Sequence, residues 1–217
     1  MSYEARSREI AAALIAIEGV CFMPAAPITF KSGIKSPVYC DNRRFPFWPE
    51  QWAKVIRCFE ALIAEREIPV DVVAGVEAAG IPHSAALGFS MRLPSVFIRK
   101  ELKGHGTKKR VEGGDVTGRQ VVLVEDLVTT GNSSIAAIDA LRTEGAVVSD
   151  CLAIISYNFS ESVELFKSAG VRLYVATTFQ AVLECALERK TIDEAGAAVV
   201  RDWLQEPHSW AKRHGFE

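Results

Sequence analysis

Val121-Val122-Leu123-Val124-Glu125-Asp126-Leu127-Val128-Thr129-Thr130-Gly131-Asn132-Ser133-Ser134 is the stretch whose reading decides the fold. Its first four residues form a continuous apolar run, the pattern of a strand buried on both faces of a parallel sheet. Two adjacent carboxylates, Glu125 and Asp126, stand where that strand is expected to end. A hydroxyl-rich loop around Gly131 follows, and Ile135, Ile138 and Leu141 then recur at helical spacing. Open α/β sheets bind ligands at the carboxyl ends of their strands. The free N–H groups of a helix start suit a phosphate, and a carboxylate pair suits sugar hydroxyls or a hydrated Mg²⁺. One phosphorylated sugar satisfies both halves. A blander reading is a buried strand with an acidic helix cap; the hydroxyls of Thr129, Thr130, Ser133 and Ser134 favour the phosphate.

The chain on either side repeats this strand–helix rhythm. Strands are expected at 70–75, 95–98, 120–124, 147–155 and 173–177, with helices at 81–89, 133–144 and 161–169. Pro49 opens a helix to about Arg66, and a first helix over 3–19 is expected to end at Gly19. Residues 20–48 are rich in Pro, Gly and aromatics and read as an irregular hood of short strands, for example around Val38 to Cys40. The tail from Thr191, with Trp203, Leu204 and Trp210, reads as helices packed on the outside. Residues 101–118 interrupt the alternation with a long charged loop, and loops of that length are functional or disordered.

With 217 residues, 49% of them hydrophobic and 24% charged, the chain suits one α/β domain with a full core. A net charge of −2 argues against a broad nucleic-acid-binding field. Five scattered cysteines without C-x-x-C spacing argue for reduced thiols, against a zinc site and for a cytoplasmic setting. No run reaches membrane-spanning length, and the N-terminus does not read as a secretory signal.

Two further strings carry chemistry. Arg99-Lys100-Glu101-Leu102-Lys103-Gly104-His105-Gly106, with Thr107-Lys108-Lys109-Arg110 after it, suits a cationic arm that closes over pyrophosphate and offsets leaving-group charge. A solvated basic surface loop is the plain alternative. Lys31-Ser32-Gly33-Ile34-Lys35-Ser36-Pro37-Val38-Tyr39-Cys40-Asp41-Asn42-Arg43 supplies cations and N–H donors for an anionic base, although Lys35 and Arg44 are as readily read as facing water. Gly75 and Gly80 bracket a small-residue loop, Val76-Glu77-Ala78-Ala79, through which the backbone can approach an anion. His83 reads as a packed or surface histidine, and the four tryptophans as cover for a core or an interface.

The 121–134 stretch resembles the phosphoribosyl pyrophosphate signature of the type I phosphoribosyltransferases. The 99–106 string and the Lys-Ser-Pro hood resemble the orotate phosphoribosyltransferase family in particular. The resemblance implies a Rossmann-like fold with a central parallel sheet flanked by helices and a small N-terminal hood, in one domain over 1–217. It implies phosphoribosyl transfer from phosphoribosyl pyrophosphate to orotate, with Mg²⁺ held through substrate and water rather than by direct protein ligands. Carried over by position, Lys103, Asp126 and Glu125 are the catalytic residues. Phosphoribosyl pyrophosphate is expected on Arg99, Lys100, Lys103, His105, Glu125, Asp126, Leu127, Val128, Thr129, Thr130, Gly131, Asn132 and Ser133. Orotate is expected on Lys31, Thr129 and Arg43, and the 73–80 loop is expected to face pyrophosphate. The family further implies a homodimer whose 99–118 loop, flexible in that family, reaches into the partner's site. Ile155-Ser156-Tyr157-Asn158-Phe159 departs from the family's Asp-Arg, which leaves Arg43 as the cation for the orotate carboxylate. The rival readings are transfer to another base and a binding module without turnover.

Overall fold

The computed structural model describes residues 1–30, 32–100 and 109–216, which divide into two compact units. The second unit, Pro49–Ala176, carries the sheet. Its elements are α2 (Pro49–Glu65), β5 (Val72–Val76), α3 (Gly80–Met91), β6 (Ser95–Ile98), β7 (Val111–Glu112), β8 (Gln120–Val128), α4 (Asn132–Thr143), β9 (Val147–Ser156) and α5 (Ser160–Ser168), with β10 (Arg172–Thr178) completing the sheet. The order is β10-β9-β8-β5-β6-β7. β5 pairs in parallel with β6 and with β8, and β8 in parallel with β9, so the sheet is mostly parallel as expected.

Alternation along the strands sorts two apolar faces. Val72, Ala74, Val121 and Leu123 pack with Ala137, Ile138 and Leu141 of α4 and Phe166 of α5 in one buried cluster. Fourteen valine, isoleucine, leucine and alanine positions of β5, β8 and β9 are fully covered, the burial that the continuous apolar runs require.

The first unit, Met1–Trp48 with Thr177–Glu217, contains α1 (Tyr3–Ala16), β1 (Val20–Phe22), β2 (Ile28–Thr29), β3 (Lys35–Ser36), β4 (Val38–Cys40), a 3₁₀ turn (Asn42–Phe47), α6 (Phe179–Glu188), α7 (Glu194–Gln205) and α8 (Pro207–Arg213). β1 pairs antiparallel with β4 and β2 with β3, the short strands foreseen for the hood. α1 packs on α6, and the Ser7 and Thr177 hydroxyls meet at 3.1 Å beneath them.

Three expectations need correction. β8 does not end before the carboxylates but runs to Val128, because β9 continues to pair with it at Glu125↔Ala153, Leu127↔Ile155 and Val128↔Ser156. The 101–118 segment is not all loop: Val111–Glu112 returns as an antiparallel edge strand on Phe97 and Ile98. α1 stops at Ala16 rather than at Gly19, and the left-handed residue after it is Glu18, at φ 53°. The tail forms helices, as expected, with Trp203 and Trp210 completely buried on their inner faces, the core-covering role read for these tryptophans. Helix α6, capped by the Thr178 hydroxyl on the Ala181 N–H, was not foreseen.

Candidate active site

The carboxyl ends of β5 and β8 each feed a helix whose N-cap makes no side-chain hydrogen bond: Ala79 before α3 and Gly131 before α4. First-turn N–H groups have no partner inside their own helix, so the α4 start presents donors to a ligand; at α3 the Ile81 N–H is bonded to the Ala78 oxygen and Pro82 has no N–H, which leaves that of Gly80. Gly131 sits at φ 85°, and a Cβ there would come within 3.2 Å of the Phe166 ring, so both conformation and space require glycine.

Glycines 75 and 80 also have a packing role. A Cβ on Gly80 would lie 2.5 Å from the Val124 carbonyl oxygen, and one on Gly75 would lie 2.3 Å from Ser84 Oγ and 2.8 Å from the Gly80 oxygen. They let the first turn of α3 rest directly on β5 and β8. The loop between them is thereby held at the sheet edge. Glu77 N–H donates to the Ile98 oxygen at 3.0 Å, and the Glu77 carboxylate accepts from the Lys100 N–H at 2.9 Å.

Glu125 and Asp126, being consecutive on a strand, face opposite sides of the sheet. Glu125 shares the α4 face, is only 4% exposed, and accepts from Ser133 Oγ at 3.3 Å and Ser134 Oγ at 3.2 Å. Burial, reinforced by the Asp126 charge, pushes its carboxyl up to about 8, against the pull of the two hydroxyls. Asp126 is half-buried on the other face. Leu127 and Val128 continue the strand, Thr129 and Thr130 turn away from it half-buried, and Asn132 Nδ2 donates to Thr130 Oγ1 at 3.2 Å. The stretch from Glu125 to Ser133 is thus one continuous edge, as expected, except that Ser133 turns its hydroxyl towards Glu125. Ser134, absent from the expected ligand set, completes that contact; its signal was a serine on the core-facing side of an amphipathic helix.

The cationic string divides. Arg99 and Arg110 form the stem of the β6–β7 hairpin: Arg99 N–H donates to the Arg110 oxygen at 2.9 Å, and Arg110 Nε returns a bond to the Arg99 oxygen at 2.8 Å. Arg110 also reaches the Ala136 oxygen, while one Glu144 oxygen accepts from the N–H groups of Arg110 and Val111 at 2.9 and 3.0 Å. Arg110 is therefore a structural brace, and Glu144, unremarkable at a helix end, is its anchor. Lys103 and His105 lie outside the described residues, as does Lys31.

In the first unit Arg43 holds Asp41 through Nε at 2.6 Å and the Tyr39 hydroxyl through Nη2 at 2.8 Å. Arg43 in turn holds the Asp41 carboxyl below its ordinary range. The Lys35 ammonium donates to the Phe216 oxygen, and its carbonyl accepts from Trp203 Nε1 at 2.9 Å, so Lys35 serves the fold of its own unit. His83 is packed: Trp52 Nε1 donates to its Nδ1 at 2.9 Å, and burial lowers its pKa to about 4. No helix among the described residues is long and apolar enough to cross a membrane.

Comparison with known proteins bears on the same segments. A family model described as a phosphoribosyl transferase domain matches residues 48–164. An orotate phosphoribosyltransferase of Coxiella burnetii is 36% identical over 205 residues, covering 94% of this chain and 98% of the relative. One of Bacteroides thetaiotaomicron is 39% identical over 203 residues, covering 94% and 96%. The crystal structure of orotate phosphoribosyltransferase from Aeropyrum pernix superposes with a TM-score of 0.72 at 31% identity, over 81% of this chain and 96% of the other. Leishmania donovani UMP synthase superposes with a TM-score of 0.81 at 28% identity over 93% of this chain, which spans 43% of that protein.

Proposed function

The chain belongs to the orotate phosphoribosyltransferase family of phosphoribosyl transferases, and we propose that it transfers the 5-phosphoribosyl group of phosphoribosyl pyrophosphate to orotate. The products are orotidine 5′-monophosphate and pyrophosphate, in a step of de novo UMP synthesis. The observation that carries this reading is the β8–α4 edge, where the strand that carries the half-buried Asp126 feeds the uncapped start of α4.

In this reading the 5′-phosphate rests on the N–H groups of Thr129 to Ser133 and the hydroxyls of Thr129 and Thr130, and Asp126 accepts from the ribose hydroxyls. Pyrophosphate lies against the uncapped start of α3 and the 76–79 loop. Lys103, with Arg99, Lys100 and His105 as supporting cations, offsets charge on pyrophosphate as the C1′–O bond loosens. Orotate takes Lys31, Arg43 and Thr129 as its partners. The protein's contribution is positioning and charge stabilisation, with no covalent intermediate on a side chain. Among the described residues no three His, Cys, Asp or Glu side chains gather as a metal site. A Mg²⁺ would be held through substrate oxygens and water, with Asp126 as an outer acceptor. When bound, that ion supplies charge neutralisation for pyrophosphate. We place the chain in a cytoplasmic homodimer whose 99–110 segments serve the partner's site.

The test is an assay of the purified chain with phosphoribosyl pyrophosphate, Mg²⁺ and orotate, uracil, hypoxanthine or adenine in turn. Orotidine 5′-monophosphate from orotate alone is the expected result. Turnover with a purine instead would overturn the base assignment, and tight phosphoribosyl pyrophosphate binding without turnover of any base would overturn the enzymatic reading.

A further inference from the structure

We propose that Trp203 is a positioning residue for the base: with the Phe216 carbonyl behind it, it ties down the β2–β3 hairpin, the segment whose Lys31 is read as an orotate partner. The inference rests on that reading. It adds to the base half of the site a tail residue that stands 168 positions from Lys35, the hairpin residue it holds.

The hairpin cannot hold itself. β2 and β3 are two residues each, in register at Ile28↔Ser36 and Thr29↔Lys35. The turn between them is closed by the Phe30 N–H on the Ile34 oxygen at 2.8 Å and the Gly33 N–H on the Phe30 oxygen at 2.9 Å. A two-stranded ribbon alone is marginally stable at best in water, so its placement depends on what grips it from outside. Its tip is open: Ser32 and Gly33 are exposed, and a Cβ on Gly33, at φ 87°, would meet nothing within 4 Å. The grip is at the base. Trp203 Nε1 donates to the Lys35 oxygen at 2.9 Å, and the same indole meets the Phe30 ring edge-on at a centroid distance of 6.1 Å. The Lys35 ammonium donates to the Phe216 oxygen, and α8 packs along β3. One indole thus touches both ends of the 30–35 turn and leaves the tip clear for a ligand.

A second tryptophan separates this role from plain burial. Trp203 and Trp210 are both 0% exposed and belong to the same unit. Trp210 stacks on His214 and Phe216, with centroids at 4.9 and 5.3 Å, and its Nε1 has no hydrogen-bond partner among the described residues. Trp210 is apolar cover for the tail. Trp203 gives the same cover and adds a directed bond to the carbonyl at the foot of the turn. Exchanging indole for phenyl therefore takes no bond from the hairpin at 210, whereas at 203 it strips the Lys35 oxygen of its buried donor.

The test is steady-state kinetics of the full chain, with orotate and phosphoribosyl pyrophosphate varied in turn. Trp203→Phe keeps a ring against Phe30 and loses the donor. Its KM for orotate should rise roughly tenfold, with KM for phosphoribosyl pyrophosphate and kcat within roughly twofold of wild type. Lys35→Met loses the bond to the Phe216 oxygen and keeps Trp203; it should raise the orotate KM roughly threefold with the same split. Trp210→Phe should leave both KM values within roughly twofold. An unchanged orotate KM in Trp203→Phe, or an equal rise for both substrates, would overturn the proposal. So would a rise in Trp210→Phe as large as in Trp203→Phe, since loss of tail packing would then be the cause. If Trp203→Phe does not fold, Lys35→Met decides: an unchanged orotate KM there overturns the tie between tail and hairpin. All of these failures leave wild-type turnover of orotate intact, whereas a wild-type chain that does not turn over orotate fails the base reading itself.

Discussion

The β8–α4 edge and the β6–β7 hairpin carry the two halves of the proposed chemistry, and they are built in opposite ways. β8 has strands on both sides and a helix laid over its Glu125 face, so backbone ladders and apolar packing dictate where each acid points. β7 is a two-residue strand at the end of the sheet. Its return stem is held by polar bonds, chiefly Arg110 and a Glu144 carboxylate from 33 residues further along the chain. At the centre, burial sets geometry first and chemistry is fitted to it. At the edge, single side chains do the fastening.

The largest expected effect lies on the edge side. Lys103→Ala should lower turnover by roughly a hundredfold, the worth of one charge aimed at a leaving group, with the melting temperature unchanged. Steady-state kinetics together with thermal unfolding measure both, and near-normal turnover would remove the leaving-group role from the hairpin.

Next comes a pair of glycines that sets centre against edge. Gly80→Ala places a methyl 2.5 Å from the Val124 oxygen, with backbone on both sides of the clash. The expected cost is about 2–3 kcal/mol in urea unfolding, the range for overpacking a tight interior. Gly114→Ala, just beyond β7, meets nothing closer than 3.8 Å. It should change stability by less than about 0.5 kcal/mol. Similar costs at the two positions would erase the contrast.

The smallest effect is the pH dependence of stability, which also belongs to the buried centre. His83 is favoured neutral in the native chain, with its pKa lowered from 6.5 to about 4. The stability it contributes is present above about 6.5 and is lost as pH falls towards 4. Glu125 acts in the other direction: its pKa is raised from 4.5 to about 8, so its contribution is complete below 4.5 and is lost as pH rises through that window. Between pH 7 and 5.5, wild type should lose about 1 kcal/mol more than His83→Gln in denaturant titrations. Identical profiles would show that His83 is not held neutral.

The same contrast explains how far the sequence could be read. Apolar runs within 70–75, 120–124 and 147–155 locate the sheet, because a strand covered on both faces has few other compositions. The end of β8 was misplaced since Glu125 and Asp126 look like a boundary in composition. Only the pairing with β9 keeps them in the ladder. β7 was missed because two residues have no period to read. Arg110 looked like one more cation in a basic run, and nothing local distinguishes it from Lys109; its brace depends on Ala136 and Glu144, brought near only by the fold. The segment of residue types pointing to a phosphate was legible at 125–134. Which of its two acids lies under the helix was not, because strand alternation separates them but burial alone says which side is covered.

The division between Asp126 and the rest of the site is tested most directly by titrating phosphoribosyl pyrophosphate and orotate separately into wild type and Asp126→Asn. The account predicts that the variant loses at least roughly tenfold in affinity for phosphoribosyl pyrophosphate, from the charged hydrogen bonds to ribose, and less than roughly twofold for orotate. Equal losses for the two substrates, or a loss confined to orotate, would contradict it.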